Sequence, residues 1–216
     1  MHKLSGPELP PISGNLPKQL IIFLHGLGDS GFGLFGLTSF FTSQFPDAQF
    51  LSPNAPFKHP LLENGYQWFG LDRWDEDYIY NGIKTASPIL ENFIVSNMNR
   101  FSIDYKDVLL VGFSQGAMMS LHLAPRLREK IAGVVALSGS LISPQTLKDE
   151  IKTRPEILLA HGDNDEVVDY NEMGKAEKVL SDLNFNVRSV TEYGVAHNIG
   201  QRAIDEMLLF AKKILF

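Results

Sequence analysis

Val108-Leu109-Leu110-Val111-Gly112-Phe113-Ser114-Gln115-Gly116-Ala117 carries the clearest local signal in the chain. A short apolar run ends in Gly112 to Gly116, and a helix-like stretch, 117–124, follows. That is a strand, a sharp turn and a helix, with serine at the apex. In this context G-x-S-x-G reads as a nucleophile elbow. The serine has to stand on a tight, strained turn for its hydroxyl to project from the end of the sheet, and flanking glycines leave room for such a turn. Gln115 opens the helix, so its backbone N–H points where an oxyanion would form, and the helix N-terminus adds favourable dipole. The plainer reading of the same residues is a strand-to-helix turn with a capping serine.

On either side of this stretch, short apolar runs alternate with longer helical patterns. Strands are expected at Gln19–Leu24, Ala48–Leu51, 108–111, 131–137 and 156–160, with a more polar edge strand at 186–191. Helices are expected at 33–41, 83–97, 115–127, 170–183 and 198–214. The segment 57–80 reads as a long irregular loop, and 1–17 as a surface segment ahead of the first strand. Alternation of this kind predicts an α/β fold, with a mostly parallel sheet and right-handed crossovers. The C-terminal strand ends then share one edge, where ligands bind. The loop after Leu24, the turn after Val111 and the loop after Ala160 all belong to that edge.

With 216 residues and 44% hydrophobic content, one domain spanning 1–216 is expected. The net charge of -6 and the lack of a basic cluster argue against nucleic acid or an anionic membrane as the main partner. Cysteine is absent, which excludes disulfides, thiolate ligands and a cysteine nucleophile, and is compatible with the cytoplasm. Prolines interrupt the N-terminus where a signal peptide needs an apolar core, and no apolar run approaches the ~18 residues of a membrane span. Neither a metal nor another cofactor is expected: no close pair of ligand residues, no G-x-G-x-x-G and no G-K-[ST] is present.

A serine hydroxyl needs a base, and the base needs an orienting group. Of the six histidines, His25 and His161 each end a strand and precede glycine, a setting for holding loop backbone. His122 falls within the helix after the elbow and reads as a packing or surface residue. His197 sits on a late loop leading into the last helix, which suits a base. The acid is sought between serine and histidine in chain order. There His161-Gly162-Asp163-Asn164-Asp165-Glu166-Val167-Val168 follows a strand. Position alone leaves Asp163 and Asp165 both open, and the plainer reading is a solvated acidic turn.

Taken together, these segments resemble the phospholipase/carboxylesterase family, which includes acyl-protein thioesterases and small bacterial carboxylesterases. The resemblance covers nearly the whole chain and rests on four motifs in order. They are His25-Gly26-Leu27-Gly28-Asp29, the elbow Gly112 to Gly116, the segment His161 to Val168, and Gly194-Val195-Ala196-His197. The turn Pro53-Asn54-Ala55-Pro56 also matches. The resemblance implies an α/β-hydrolase fold with helices on both faces of the sheet. It implies Ser114 as nucleophile, His197 as base and Asp165 rather than Asp163 as acid, with an oxyanion hole from the backbone N–H groups of Leu27 and Gln115. Two departures stand out: Ala117 replaces a second glycine, and Gly70 follows Trp68-Phe69 where relatives have aspartate.

The implied activity is a serine hydrolase that cleaves carboxylic esters or thioesters through an acyl-enzyme, without a cofactor. Acyl-protein thioesterase and lysophospholipase are the narrower alternatives, and a catalytically silent binding protein on the same fold is the competing class. Leu61, Leu62, Trp68, Phe69, Leu71 and Trp74, on the irregular 57–80 loop, are expected to contact the substrate. They would favour short to medium acyl chains. The competing role for these residues is to plug the edge of the core. The partner is then a small ester or an acylated molecule. The apolar loop leaves transient membrane contact open, and the chain is expected to be a monomer or a homodimer.

Overall fold

In the computed structural model, which describes residues 3–73 and 75–216, the first long strand shows why the core has two halves. Along β2 (Gln19–Leu24), Leu20, Ile22 and Leu24 enter one apolar cluster while Ile21 and Phe23 enter another. Side chains alternate across a pleated strand, so a strand apolar at every position must be covered on both faces. The same alternation splits Val108 and Leu110 from Leu109 and Val111 in β6 (Val108–Phe113).

Outward from this centre the sheet is completed by β3 (Ala48–Leu51) on one side and by β7 (Gly133–Leu137), β8 (Glu156–Gly162) and β9 (Val187–Glu192) on the other. With β1 (Glu8–Leu9) at the far edge, the order is β1-β3-β2-β6-β7-β8-β9. All neighbouring pairs are parallel except β1 with β3. One face is covered by α3 (Glu76–Phe101), α4 (Gln115–Leu123) and α6 (Asn171–Asp182). The other is covered by α1 (Gly31–Phe35), α2 (Thr38–Phe41) and α7 (Gln201–Leu215). This is an α/β-hydrolase fold.

Four local features differ from the sequence expectation. The 1–17 segment is not wholly on the surface: Leu4 is buried, and Glu8 and Leu9 pair with Leu51 and Phe50. That arm covers unpaired backbone on the outer edge of β3, and Arg100 of α3 holds Glu8 at 2.8 Å. The helix expected at 33–41 is two short helices, broken around Gly36. The loop expected at 57–80 contains a two-stranded hairpin, β4 (Phe57–Lys58) with β5 (Tyr66–Gln67), and ends at Glu76. There Asp75 accepts the Tyr78 N–H at 2.7 Å, and Glu76 and Asp77 occupy the first turn. The acidic run is thus a helix start, with carboxylates placed where the dipole favours them. Finally, 144–150 forms α5 (Pro144–Glu150), with Pro144 in its first turn.

Candidate active site

Three strand ends meet at the C-terminal edge of the sheet. At the end of β6, Ser114 takes φ 53° and ψ -117°, a positive-φ conformation that disfavours any residue with a side chain. It is held there by neighbours on all sides. The Ser114 N–H donates to the Leu137 carbonyl at 2.8 Å. A Cβ on Gly112 would lie 2.3 Å from the Gly116 carbonyl oxygen, and one on Gly116 would lie 1.9 Å from that of Leu24. Both glycines are therefore required by backbone crossing backbone. The Ser114 hydroxyl has no hydrogen-bond partner among the described residues.

Beyond β8, Asp165 is fully buried at its side chain. Its Oδ1 accepts the N–H groups of Val167 and Val168, each at 2.9 Å, and its Oδ2 accepts His197 Nδ1–H at 2.7 Å. Burial alone would raise the carboxyl pKa, but the His197 bond and the two backbone donors outweigh it and hold the pKa below the ordinary value. Asp163, the other aspartate left open by position, faces elsewhere: its Oδ1 accepts the Gly194 N–H at 2.6 Å. It braces the turn that carries His197 rather than touching the imidazole.

The His197 ring packs against that of Phe113, the residue before Ser114, with centroids 4.8 Å apart. With Nδ1 donating to Asp165, Nε2 is left as the unprotonated nitrogen of a neutral ring. The loop is anchored behind it by Glu192, a buried residue the sequence reading did not single out. Its carboxylate accepts the N–H groups of Gly200 at 2.6 Å and Ala203 at 2.9 Å, at the start of α7.

At the end of β2, the loop 25–29 lies against the elbow: a Cβ on Gly26 would come 3.3 Å from that of Ser114. His25 shapes this loop, with Nδ1 2.7 Å from the Gly26 carbonyl oxygen and Nε2 accepting the Ala55 N–H at 2.9 Å. Burial lowers its pKa, consistent with a neutral ring holding backbone. Gly28, at φ +80°, donates to the Tyr66 carbonyl at 2.8 Å. Among the described residues, the N–H groups of Leu27 and Gln115 have no partner within the chain.

A sequence model of the Phospholipase/Carboxylesterase family matches residues 12–215. The chain belongs to that family. It is 30% identical to acyl-protein thioesterase 1 of Candida albicans, over 95% of this chain and 96% of that protein. It is 31% identical to acyl-protein thioesterase 1 of Saccharomyces cerevisiae, over 92% and 93%. The crystal structure of esterase PE8 superposes with a TM-score of 0.94 at 39% identity, covering 99% of this chain and all of the other. The chain is accordingly a hydrolase of the esterase/thioesterase type.

The residues expected from the sequence to contact the substrate separate in the structure. Trp68 and Phe69 are core residues rather than exposed wall. Trp68 donates from Nε1 to the His25 carbonyl at 3.0 Å, which lets a large ring seal the underside of the 25–29 loop with its polar atom satisfied. Leu71 is half-buried against the same core. Leu62 lies over the 25–29 loop, its Cδ1 2.9 Å from a Cβ built on Gly28, and Leu61 is exposed. Trp74 lies outside the described residues.

A cleft of about 580 Å³ opens beside the acid loop. Its apolar wall comes from Ile79 of α3, Leu141 and Ile142 after β7, Val167 and Val168 after Asp165, and Val179 of α6. Val168 is also a donor to Asp165, so the cleft shares a wall with the acid's own support. No helix among the described residues is long and apolar enough to cross a membrane.

Proposed function

We propose that this hydrolase works through Ser114, His197 and Asp165 on carboxylic esters or thioesters with short to medium acyl chains. The observation that carries the reading is the 2.7 Å bond from His197 Nδ1 to the buried Asp165, on the loop packed against the strained Ser114 turn. This bond fixes the tautomer in which Nε2 is free to take a proton.

In this reading Ser114 Oγ attacks the acyl carbonyl while His197 Nε2 accepts its proton. The unpaired N–H groups of Leu27 and Gln115 bind the oxyanion as it forms. His197 then gives the proton to the departing alcohol or thiol, leaving an acyl-serine. Water attacks this ester with the same histidine as base, and collapse of the second tetrahedral species returns the proton to Ser114. Asp165 stays ionised and stabilises the imidazolium at each stage.

The cleft of about 580 Å³ supports an acyl group of limited length, since its volume falls in the small-molecule range and Ile79, Leu141, Ile142, Val167, Val168 and Val179 give it an apolar wall, with Glu76, Asp169, Glu172 and Lys175 also lining it. The relatives named acyl-protein thioesterase 1 support a thioester as well as an oxyester. The test is hydrolysis of p-nitrophenyl esters from acetate to palmitate, alongside matched acyl thioesters, by wild type and Ser114→Ala. A peak at one chain length, absent in the variant, is expected. Full activity in Ser114→Ala would overturn the reading, and labelling of wild type by a fluorophosphonate checks independently that the serine is activated.

A further inference from the structure

His161 is the penultimate residue of β8, four residues before Asp165, and the reading of its sequence setting gives it only loop backbone to hold. Its position does more. Its side chain is 1% exposed, and Nε2 stands 3.0 Å from the Val168 carbonyl oxygen and 3.1 Å from Asp165 Oδ2. A carbonyl oxygen only accepts, so the ring proton is on Nε2. The N–H is directed at Val168, and Asp165 Oδ2 lies 3.1 Å from the same nitrogen without a hydrogen bond to it.

From this juxtaposition we infer that His161 is a positioning residue for the acid–base pair, resting on the reading of Ser114, His197 and Asp165 given above. It acts on the carboxylate by two routes. By the first, it fixes the Val168 peptide, whose N–H holds Asp165 Oδ1 at 2.9 Å. By the second, the positive end of its N–H dipole lies next to Oδ2, the oxygen that receives His197. Oδ2 is thus flanked by two imidazoles, one exchanging protons with substrate and one sealed in the core.

The surroundings leave His161 little freedom to do anything else. The Tyr170 ring meets it edge-on at 6.1 Å, and the Tyr170 hydroxyl is bonded to Thr191 Oγ1 at 2.6 Å. Thr191 is the residue paired with His161 across β8 and β9. The other titratable groups on the adjoining elements are turned to other partners or to solvent. Asp163 binds Gly194 N–H, Glu192 binds the start of α7, Asp169 binds the Asn171 N–H, and Glu166 is exposed. Asp165 is the carboxylate in contact with the ring.

Removing the N–H leaves the Asp165 charge less compensated and its carboxylate less constrained. A carboxylate with fewer donors holds the His197 proton more tightly, so the acidic limb of kcat/KM moves to higher pH. A purely structural histidine would lower stability and leave that limb in place.

The experiment compares His161→Asn with His161→Gln in the full chain. The glutamine amide nitrogen reaches the position of Nε2, whereas the asparagine nitrogen stops at that of Nδ1. His161→Asn is expected to lose roughly tenfold in kcat with KM nearly unchanged. Its acidic limb should rise by roughly half a pH unit or more. His161→Gln should recover most of both, and the downfield NMR signal of His197 Nδ1–H should move in the first variant and return in the second. If His161→Asn does not fold, His161→Phe keeps the ring volume without a donor, and the same limb shift is expected. Wild-type kcat and limb in the donor-free variant, or equal losses in Asn and Gln with the limb fixed, would overturn the inference. Ser114→Ala assayed in parallel separates the two levels. Activity there removes the serine reading, whereas an inactive Ser114→Ala beside an unaffected His161→Asn removes only the role of His161.

Discussion

Gln115 accepts the backbone N–H of Trp68 through Oε1 at 2.7 Å and, through Nε2, donates to the next carbonyl, that of Phe69, at 2.7 Å. The residue that opens the helix after the elbow is therefore clamped to a segment 47 positions earlier in the chain. Trp68 in turn bonds the His25 carbonyl, so the clamp continues into the 25–29 loop. The two unpaired N–H groups assigned to the oxyanion hole, on Leu27 and Gln115, sit on parts that a single fully buried amide helps to hold in register.

Gln115→Ala is expected to be costly for this reason. Two buried backbone groups lose their partners, each worth about 1–3 kcal/mol. Stability should fall by about 2–6 kcal/mol in urea unfolding. The Gln115 N–H itself survives the substitution, so any loss of turnover reports misplacement of the donors. About a tenfold drop in kcat is expected, read from ester hydrolysis at a temperature where the variant remains folded.

Ser114 tests the opposite trade. Its φ of 53° is conformational strain held by the surrounding backbone. Ser114→Ala removes the hydroxyl and keeps the strain. Ser114→Gly removes both, and the relief should exceed the entropy that glycine adds to the unfolded chain. Both variants are expected to be inactive. The glycine variant should be about 1 kcal/mol more stable than the alanine variant in urea unfolding. Equal stabilities would mean that the turn is not strained.

Asp165→Asn keeps the shape of the acid but replaces an acceptor of His197 Nδ1–H with a group that can present N–H instead. The imidazole then favours the wrong tautomer, and kcat is expected to fall by roughly 10³–10⁴. The same variant reads out linkage. The wild-type carboxyl has its pKa lowered from 3.8 on folding, so its contribution to stability is complete at neutral pH. That contribution fades as pH falls below about 4 through the folded-state pKa. The loss of stability between pH 7 and pH 3, measured by urea midpoint, should be shallower in Asp165→Asn than in wild type.

The order of strands and helices was legible because a core strand apolar at every position and a helix with a 3.6-residue period leave different marks in a sequence. The N-terminal strand was not: Glu8 and Leu9 have no strand pattern of their own and are recruited by the open edge of β3. The early start of α3 was hidden because Asp75, Glu76 and Asp77 look like a solvated loop until their capping geometry is seen. Ser114 and His197 stand out in the sequence for a local reason, since each lies in a short motif at a strand end or just before a helix, whereas position alone leaves Asp163 and Asp165 both open and the 2.7 Å bond to His197 sets Asp165 apart. Glu192 was missed because its burial depends on α7, and the polarity of β9 looks like that of any exposed edge. Trp68 and Phe69 were placed at the substrate because aromatic residues on an irregular segment look alike whether they face a ligand or close the core.

The same reasoning leaves two competing walls for the acyl chain, and one pair of substitutions separates them. Leu62, one of the residues of the 57–80 segment expected to contact the substrate, stands half exposed over the 25–29 loop. Ile142 lines the cleft of about 580 Å³, on a segment with no local signature, since its apolar residues are scattered over four stretches of chain. If the acyl chain lies in the cleft, Ile142→Trp fills volume there, and the preferred p-nitrophenyl ester should shift to a shorter chain. Each lost methylene contact is worth about 0.8 kcal/mol, so esters beyond the new optimum should fall by up to about fifteenfold in kcat/KM per two carbons while acetate is little changed. Leu62→Ala should then change kcat/KM by a similar small factor across the series. The reverse pattern, a length-dependent loss in Leu62→Ala with Ile142→Trp indifferent to chain length, would move the acyl site from the cleft to the 57–80 segment.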